Sequence, residues 1–331
     1  MFARVIFAFA VIYLVWGSTY LGIRVALESL PPFLMAGVRF LVAGGLLYAW
    51  ARLRGAARPE RSAWRGAFVL GGLMFLLGNG LIVWAELRVN SGLVALIASG
   101  TPAWVVVIDH LRPGGRRATA AKWIGVALGV AGLAILFLPD ASGGPALDLV
   151  GAAAVLTASA SWGVGSIASR GLSLPKDPAM ASGMTMLGGG ALLMGMAAAT
   201  GELGSFSLEA VTGRSVVAWT YLVFFGSILG FTCFTWLLNT VDPLKVATSG
   251  LVNPLVALVL GAWLADEAVG RQAVFAAAVT FAGLTLILRA PEVHRAPPGR
   301  KAAEPVPEPD VSPAPAETAA VIGGSETRAA A

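Results

Sequence analysis

The sequence predicts an all-α integral membrane protein of ten transmembrane helices, arranged as two inverted five-helix repeats. Three observations lead to this prediction. Of the 331 residues, 57% are hydrophobic and only 12% are charged, with a mean hydropathy of +0.78, whereas soluble domains carry about 25% charged residues. The chain also contains ten long apolar stretches, and it matches itself when it is shifted by 146 residues.

The ten apolar stretches have about the length, roughly 20 residues, that a helix needs to cross a bilayer. They cover residues 5–27, 33–51, 66–87, 90–109, 121–139, 148–169, 179–201, 215–238, 245–265 and 271–289. The sequence Ala8-Phe9-Ala10 imitates a signal-peptide cleavage site, but the apolar run continues past it. We therefore expect the first stretch to be a retained helix.

Positive charges predict how the helices are oriented. Arginines crowd the connection at 52–65, and four cationic residues lie between 112 and 122. Because Lys and Arg favour the cytoplasmic side in short loops, we expect alternate connections and both termini to be cytoplasmic. This asymmetry accounts for the basic pI of 9.8. The expected partners therefore include a lipid bilayer but no nucleic acid.

Missing residues exclude several classes of function. No lysine follows a glycine, so the chain has no phosphate-binding loop of the Gly-Lys-Ser/Thr type. The two histidines, His110 and His294, fall in a connection and near the C-terminus, and Cys233 is the single cysteine. Zinc sites and Ser-His catalysis need more of these residues within reach of one another. We expect no catalytic residue, metal or cofactor, and therefore no enzyme.

The internal repeat is the most informative feature. A shift of 146 carries Trp16-Gly17 onto Trp162-Gly163 and Pro32 onto Pro178, and a shift of 152 carries Gly78 onto Gly230 and Pro102 onto Pro254. Each copy contains five spans, an odd number, so the second copy enters the membrane from the opposite side. Inverted repeats of this kind recur in secondary transporters.

The repeats also set the expected domain boundaries. We expect the first repeat over 1–139, the second repeat over 148–290 and a disordered cytoplasmic tail over 291–331. The tail is rich in Pro, Ala and Glu and has no periodic apolar pattern that could bury surface. We interpret it as a dispensable extension, and docking of a partner is the alternative.

Several motifs in a fixed order resemble one transporter family. They are Trp16-Gly17-Ser18, Arg39-Phe40, Gly78-Asn79 followed by Trp84-Ala85-Glu86, and Ser91-Gly92 followed by Thr101-Pro102. On a duplicated ten-helix chain, this order resembles the EamA branch of the drug/metabolite transporter (DMT) superfamily, closest to its YedA-like permeases, over about residues 5–289. The resemblance implies an exporter of amino acids or other small, drug-like metabolites in the bacterial inner (plasma) membrane. It also implies a cavity between the two halves.

Paired helix breaks predict where a substrate binds. Pro102 and Pro254 lie near the bilayer midplane at equivalent repeat positions, and each frees the carbonyl four residues earlier. Freed carbonyls are costly in hydrocarbon unless they line a cavity or neighbouring helices satisfy them. Thr101 and Asn253, which precede the prolines, add polar side chains. We expect a polar substrate site here, and a packing kink is the alternative.

Four tryptophans are candidate substrate contacts. Trp16 and Trp162 lie in the middles of their stretches, although tryptophan in membrane proteins favours the interfaces. A flat aromatic wall with an N–H donor would explain them, as would close helix packing beside the neighbouring glycines. Trp84 and Trp236 lie nearer to the ends of their stretches, so an interfacial position explains them almost as well.

Polar residues inside the stretches complete the predicted substrate-binding set. Burial of Arg39 is expensive, so we expect it to face an acceptor, with Glu86 as its counter-ion. Glu86 is alternatively a proton-coupling group, which makes protons an expected partner beside the small-molecule substrate. Snorkelling of both side chains to the headgroups is the other alternative. Asn79 and Ser18 are further expected lining residues.

The predicted function is secondary transport of a small metabolite through alternating access, and the family resemblance implies that the transport is outward. One alternative is a membrane sensor that binds a ligand without translocating it. Such a sensor would need an output domain, and the sequence shows none. The other alternative is a flippase for a lipid-linked metabolite, which the sequence does not separate from a transporter of soluble compounds.

Overall fold

The computed structural model describes residues 1–115, 117–136, 138, 148–238, 240–241, 246, 248–267 and 269–291, and this part of the chain contains no β-strand. The main helices are α1 (Phe2–Ala26), α2 (Pro32–Leu53), α3 (Arg61–Ala85), α4 (Ser91–Leu111), α5 (Ala120–Ile135), α6 (Leu149–Ala168), α7 (Pro178–Ala199), α8 (Gly213–Phe234), α9 (Ser249–Leu264) and α10 (Arg271–Arg289). Two short helices, Glu202–Ser205 and Leu208–Ala210, lie between α7 and α8. The predicted tail lies outside the described residues, apart from residue 291.

Eight of these helices are long and apolar enough to cross a membrane. The other two, α5 and α9, have 16 residues each and are shorter than the predicted stretches 121–139 and 245–265. At 1.5 Å per residue, each rises about 24 Å, less than the ~30 Å hydrocarbon core. The α5 helix ends at Ile135, with Leu136 as its C-cap. The described part of the chain is thus all-helical, with eight candidate membrane spans and two shorter apolar helices.

Three helices contain π-helical segments, in which the backbone is wound more widely than in an α-helix. They are Val11–Val15 in α1, Gly72–Gly80 in α3 and Leu222–Leu229 in α8. The last two overlap when the chain is shifted by 152 residues. A wider turn changes the angular position of the side chains that follow it, and Trp16 and Gly230 each come directly after such a segment.

Two helices, α6 and α7, begin at acidic caps. Asp148 accepts a hydrogen bond from the N–H of Gly151 at 2.6 Å, and Asp177 accepts one from the N–H of Met180 at 2.8 Å. The Gly151 N–H holds the pKa of the Asp148 carboxyl below its usual value. These caps satisfy backbone donors that have no partner inside the first helical turn, so they fix where α6 and α7 start.

Glycines let helices from the two halves of the chain approach closely. A Cβ added to Gly44 of α2 would lie 2.8 Å from the carbonyl oxygen of Gly183 in α7, and one added to Gly183 would lie 2.8 Å from the N of Tyr48. In the same way, a Cβ on Gly125 of α5 would lie 2.6 Å from the carbonyl oxygen of Gly283 in α10. Backbone contact of this kind is the usual use of small residues between membrane helices.

The pairing of the helices follows a regular rule. The main pairs are α2–α7, α5–α10, α4–α9, α1–α8, α3–α6, α1–α9, α4–α6, α3–α7 and α2–α8. The set of pairs stays the same when each helix is exchanged with the helix five places away in chain order, so that α1 and α6 exchange, α2 and α7 exchange, and so on. For example, the pair α1–α8 becomes α6–α3, and the pair α1–α9 becomes α6–α4.

Candidate functional site

A cavity of about 760 Å³ lies between the helices. Arg39, seven residues into α2, and Asn79, six residues before the end of α3, line one end of it. Asp109, Arg117 and Arg170, close to the ends of α4, α5 and α6, line the other end. Arg39 is only 3% exposed, whereas Arg117 and Arg170 are exposed. The cavity is therefore closed at the Arg39 end and open at the Arg170 end.

The two midplane tryptophans line the cavity from opposite halves of the chain. The Nε1 of Trp16 donates a hydrogen bond to the carbonyl oxygen of Gly226 at 3.1 Å, and its ring packs against Gly230. The ring of Trp162 packs against Gly78, where an added Cβ would lie 3.1 Å from it. Since Gly78 and Gly230 match in the repeat, each tryptophan packs on the equivalent glycine of the other half.

Phenylalanine rings join the two tryptophans into one aromatic wall. The ring centroid of Phe231 lies 5.4 Å from that of Trp16 and 6.4 Å from that of Trp162. Phe234 lies 5.0 Å from Trp16, and Phe75, which is buried and does not line the cavity, supports the ring of Phe231 from 5.6 Å. A wall of this composition offers ring faces and edges to an apolar or aromatic ligand.

Helix α4 is interrupted shortly before Pro102. The helix is interrupted at residues 99–100, and Pro102 is the second residue of the segment that follows. The carbonyl of Ala98, which the proline leaves free, accepts a hydrogen bond from Thr101 Oγ1 at 2.8 Å. Thr101 and Pro102 both line the cavity, so the break lies in the cavity wall. The hydrogen bond from Thr101 reduces the energetic cost of leaving the Ala98 carbonyl without its helical donor.

Pro254 lies inside α9, and the neighbouring Asn253 lines the cavity beside it. With its amide nitrogen oriented towards α1, Asn253 has the carbonyl oxygens of Ile12, Tyr13 and Ser249 each 3.2 Å from that nitrogen, and its two N–H groups are shared among them. Ile12 and Tyr13 belong to the π-helical segment of α1. Asn253 therefore connects α9 to α1 in addition to lining the cavity.

Arg39 is the charged group at the closed end of the cavity. Its Nε donates to Ser227 Oγ at 2.9 Å, and its Cζ lies 4.8 Å from the ring centroid of Phe40. A glycine at 226 gives the guanidinium room, since a Cβ there would lie 3.1 Å from Nη2. Within the described residues, Arg39 Nη1 and Asn79 Oδ1 are buried without a hydrogen-bond partner.

Four of the predicted site residues do not line the cavity. Ser18 hydrogen-bonds the Tyr221 hydroxyl at 2.6 Å, Trp84 packs against the buried core, and Trp236 is 37% exposed. Glu86 is fully buried outside the lining. The predicted residues that the structure brings together around the cavity are Trp16, Arg39, Asn79, Thr101, Pro102, Trp162, Asn253 and Pro254.

The expected ion pair between Arg39 and Glu86 is not formed. The Arg39 guanidinium is directed to Ser227 of α8, and both carboxylate oxygens of Glu86 lack a hydrogen-bond partner within the described part of the chain. The backbone carbonyl of Glu86 accepts a hydrogen bond from Arg24 Nη1 at 2.5 Å, which leaves the carboxylate itself without that cation. Arg39 and Glu86 are therefore both buried with polar side-chain atoms that have no hydrogen-bond partner within the described residues.

Comparison with known proteins decides the family. The model of the EamA-like transporter family matches residues 3–138 and 149–289. The chain belongs to this family. It is a membrane transporter, and a permease rather than an enzyme.

Relatives of this EamA family member carry transporter names. It is 35% identical over 261 residues to the "uncharacterized inner membrane transporter YedA" of Escherichia coli, covering 78% of this chain and 82% of that one. A second E. coli protein, named "probable amino-acid metabolite efflux pump", is 27% identical over 273 residues, and the match covers 85% of that protein. A solved crystal structure that is 21% identical has the same fold, with a TM-score of 0.60 over 86% of this chain and 98% of the other.

Hydrogen bonds between the two halves hold the closed end of the EamA cavity. Glu267, which follows α9, accepts from the N–H groups of Ser91 at 2.9 Å and Gly92 at 3.1 Å, at the start of α4. Glu202, which follows α7, accepts from the N–H of Leu34 at 2.7 Å, near the start of α2. Each carboxylate meets the positive end of a helix dipole, so both contacts favour closure.

Sequence reasoning missed several of these groups. The acidic residues at the closed end lie in connections with no distinguishing motif. Phe231 is the repeat equivalent, under the shift of 152, of the predicted lining residue Asn79. The repeat was therefore a signal that could have found Phe231.

Proposed function

We propose that this EamA family protein is a secondary transporter that exports a small metabolite across the bacterial inner membrane by alternating access. The observation that carries the proposal is the cavity, which is closed at the Arg39 end and open at the Arg170 end. A transporter of this class needs such a state together with its opposite, open at the other end. The cavity between the two helix breaks is the proposed substrate site.

The exchange symmetry of the helix pairs supports two inverted repeats of five spans, with α5 and α9 included as spans. Under this symmetry the pairs of α1 to α5 repeat among α6 to α10. The packing of Trp16 on Gly230 and of Trp162 on Gly78 follows the same exchange. If the two repeats exchange their conformations, the set of helix pairs is kept while the closed end opens and the open end closes.

The distribution of cations supports an inward-open state and export. Arg117, Lys122 and Arg170 line the open end, and cationic residues favour the cytoplasmic side. A site that is open to the cytoplasm takes up compounds made in the cell. The relative named as an amino-acid metabolite efflux pump supports a small metabolite as the exported substrate.

Metabolite profiling of the medium is the experiment that tests this function. Cells that overexpress the protein are expected to accumulate one class of small metabolite in the medium, and cells that lack it are expected to retain that class. The purified protein in proteoliposomes should then transport the same compound. Binding without transport would favour a sensor, and movement of a lipid-linked compound between leaflets would favour a flippase. Either result contradicts the proposal.

The orientation is tested by cysteine labelling in a Cys233→Ser background. Cysteines at 58 and 114 are expected to resist a membrane-impermeant maleimide added from outside, because the cation-rich connections face the cytoplasm. A cysteine at 205, in the exposed α7–α8 connection, is the positive control and should react. Strong labelling at 58 or 114 from outside would reverse the orientation.

Removing the Glu267 carboxylate is expected to open the closed end. The Glu267→Ala variant loses three hydrogen bonds to α4, from Ser91 N, Ser91 Oγ and Gly92 N. Each charged hydrogen bond contributes ~1.5–3 kcal/mol, enough to shift the equilibrium towards the outward-open state by tenfold or more. The measurement is the rate at which impermeant maleimide labels a cysteine at 82, a lining position, from outside.

The matched control for that experiment is Glu209→Ala, which removes an exposed carboxylate from the same side of the protein. It should label at the rate of the parent. Equal labelling rates for Glu267→Ala and the control would show that these bonds do not hold the closed end.

Glu86 is the proposed proton-coupling group. It is fully buried, and neither carboxylate oxygen has a hydrogen-bond partner among the described residues. The titratable and charged groups that act on it are Tyr20, Arg24, Arg39 and Glu267. A buried anion without partners is costly, and intramembrane acids of this kind form proton relays in transporters.

The variant Glu86→Gln is expected to fold and bind substrate while losing its response to protons. An imposed proton gradient should accelerate transport in proteoliposomes by the parent protein and by Glu209→Gln, but not by Glu86→Gln. An unchanged gradient response in Glu86→Gln would assign coupling elsewhere. Loss of folded protein in this variant alone would show that the carboxylate is structural.

A further inference from the structure

We propose that the substrate is an organic anion with an apolar, ring-sized body, rather than a cation or a zwitterion. The proposal rests on the proposed function, in which the cavity is the substrate site. It goes further because it assigns the chemical class from the charges, the unpaired polar atoms and the aromatic wall of the cavity. The chemical class of the substrate is inferred from the polar atoms of the protein that have no hydrogen-bond partner within the described residues.

The first observation is the unsatisfied guanidinium at the closed end. Arg39 is 3% exposed, and its Nη1 has no partner among the described residues although its Nε is bound to Ser227. Leaving a buried cationic donor unpaired is costly. The nearest expected counter-ion, Glu86, lies outside the lining and does not pair with it. A carboxylate on the ligand would supply the missing acceptor with a charge-assisted hydrogen bond.

The second observation is the sign of the other charges around the cavity. Among the described lining residues, Arg117, Lys122 and Arg170 surround the open end, and Asp109 is the one acidic group. Asp109 is already bound to Arg112, with 2.5 Å between its Oδ1 and Nε. A cavity lined by one sign of charge raises the local concentration of the opposite ion. An approaching anion is therefore attracted, and an ammonium group finds no free carboxylate.

The third observation concerns the body of the ligand. Trp16, Trp162 and Phe231 form a wall of ring faces and edges between the open end and Arg39. The cavity volume of about 760 Å³ falls within the ~300–1,000 Å³ of small-molecule sites. An aromatic or branched apolar group fits this wall with its anionic head towards Arg39.

The fourth observation adds a polar feature beside the carboxylate. Asn79 Oδ1 is buried without a partner in the described part of the chain, and Asn79 lines the same end of the cavity as Arg39. An amide oxygen accepts hydrogen bonds, so it complements a neutral hydroxyl or amide N–H close to the ligand carboxylate. A hydroxy acid or an N-acylated acid carries an acceptor for Arg39 Nη1 and a donor for Asn79 Oδ1.

A matched series of probes tests the class on the full-length protein in lipid nanodiscs. Phenylacetate, phenylacetamide and phenethylamine share one ring and differ in head-group charge, mandelate adds a hydroxyl to phenylacetate, and phenylglycine adds an ammonium. Isothermal titration calorimetry is expected to give an affinity for phenylacetate at least about tenfold above that for phenylacetamide. Mandelate should bind more tightly than phenylacetate, while phenethylamine and phenylglycine should bind more weakly.

Variants of Arg39 separate a ligand contact from a structural role. In Arg39→Gln the preference for the acid over the amide should disappear while the affinity for phenylacetamide is retained, and Arg39→Lys should keep part of the preference. Arg54→Gln is the matched control, because Arg54 is an exposed cation stacked on Trp50 away from the cavity. It should bind all five probes like the parent.

Equal affinities of the parent protein for the acid and the amide would overturn the proposal, as would tighter binding of the amine or of phenylglycine. So would a failure of phenylacetate to bind at millimolar concentration. The probe series on the parent protein decides the class even if Arg39→Gln does not fold. These outcomes are independent of the function test, since metabolite export that shows no preference for anions would leave transport standing and remove only this inference.

Discussion

Valine at position 44 is expected to abolish the folded protein, whereas valine at position 45 is expected to leave the yield unchanged. A Cβ on Gly44 would lie 2.8 Å from the carbonyl oxygen of Gly183 and 2.9 Å from the N of Leu187, both on α7. A Cβ on Gly45 would meet nothing within 4 Å. The atoms facing Gly44 belong to a helix backbone and cannot rotate away, so α2 and α7 would have to separate.

Overpacking of this kind costs at least ~1–3 kcal/mol where side chains can adjust, and here the backbone has no such freedom. Because α2 and α7 form the most extensive helix pair, their separation would expose much of the core. Size-exclusion chromatography of detergent-extracted protein measures the folded yield, with Gly45→Val as the matched control. Equal yields for the two variants would mean that α2 and α7 do not approach as closely as described.

The spans were predictable because crossing a membrane is a strong constraint on composition. Each of the eight span-length helices begins and ends within about five residues of an apolar stretch, since polar residues mark the ends of each stretch. The constraint is weaker for α5 and α9. At the end of α5 the apolar Leu136 already lies outside the helix, and a run of apolar residues does not show where helical hydrogen bonding stops.

The depth of a residue was easier to predict than the direction of its side chain. Trp16, Trp84 and Trp236 all belong to apolar stretches, but only the first lines the cavity. The face on which a side chain lies depends on the number of residues in each helical turn. The π-helical segments of α1, α3 and α8 change that number. Nothing in the sequence marks where these wider turns occur. For the same reason Arg39 faces Ser227 rather than Glu86.

Removing either cavity tryptophan is expected to reduce transport by about tenfold or more. Trp16 and Trp162 provide ring faces on both sides of Phe231, and an aromatic side chain buries ~150–250 Å² of surface against its partners. Trp16→Ala and Trp162→Ala would remove part of the wall that holds the substrate. Transport of the identified metabolite in proteoliposomes, at matched protein content, is the measurement. Trp236→Ala is the control, because Trp236 is 37% exposed and does not line the cavity.

Phenylalanine at these positions distinguishes substrate binding from helix packing. Trp16→Phe keeps a ring face but loses the hydrogen bond from Nε1 to Gly226, whereas Trp162 has no such bond to Gly78 and contacts it through its ring. If the ring face holds the substrate, both phenylalanine variants should recover most of the transport. If the Gly226 bond fixes the closed end, Trp16→Phe should stay impaired while Trp162→Phe recovers. Normal transport by both alanine variants at normal abundance would mean that the substrate passes elsewhere in the protein.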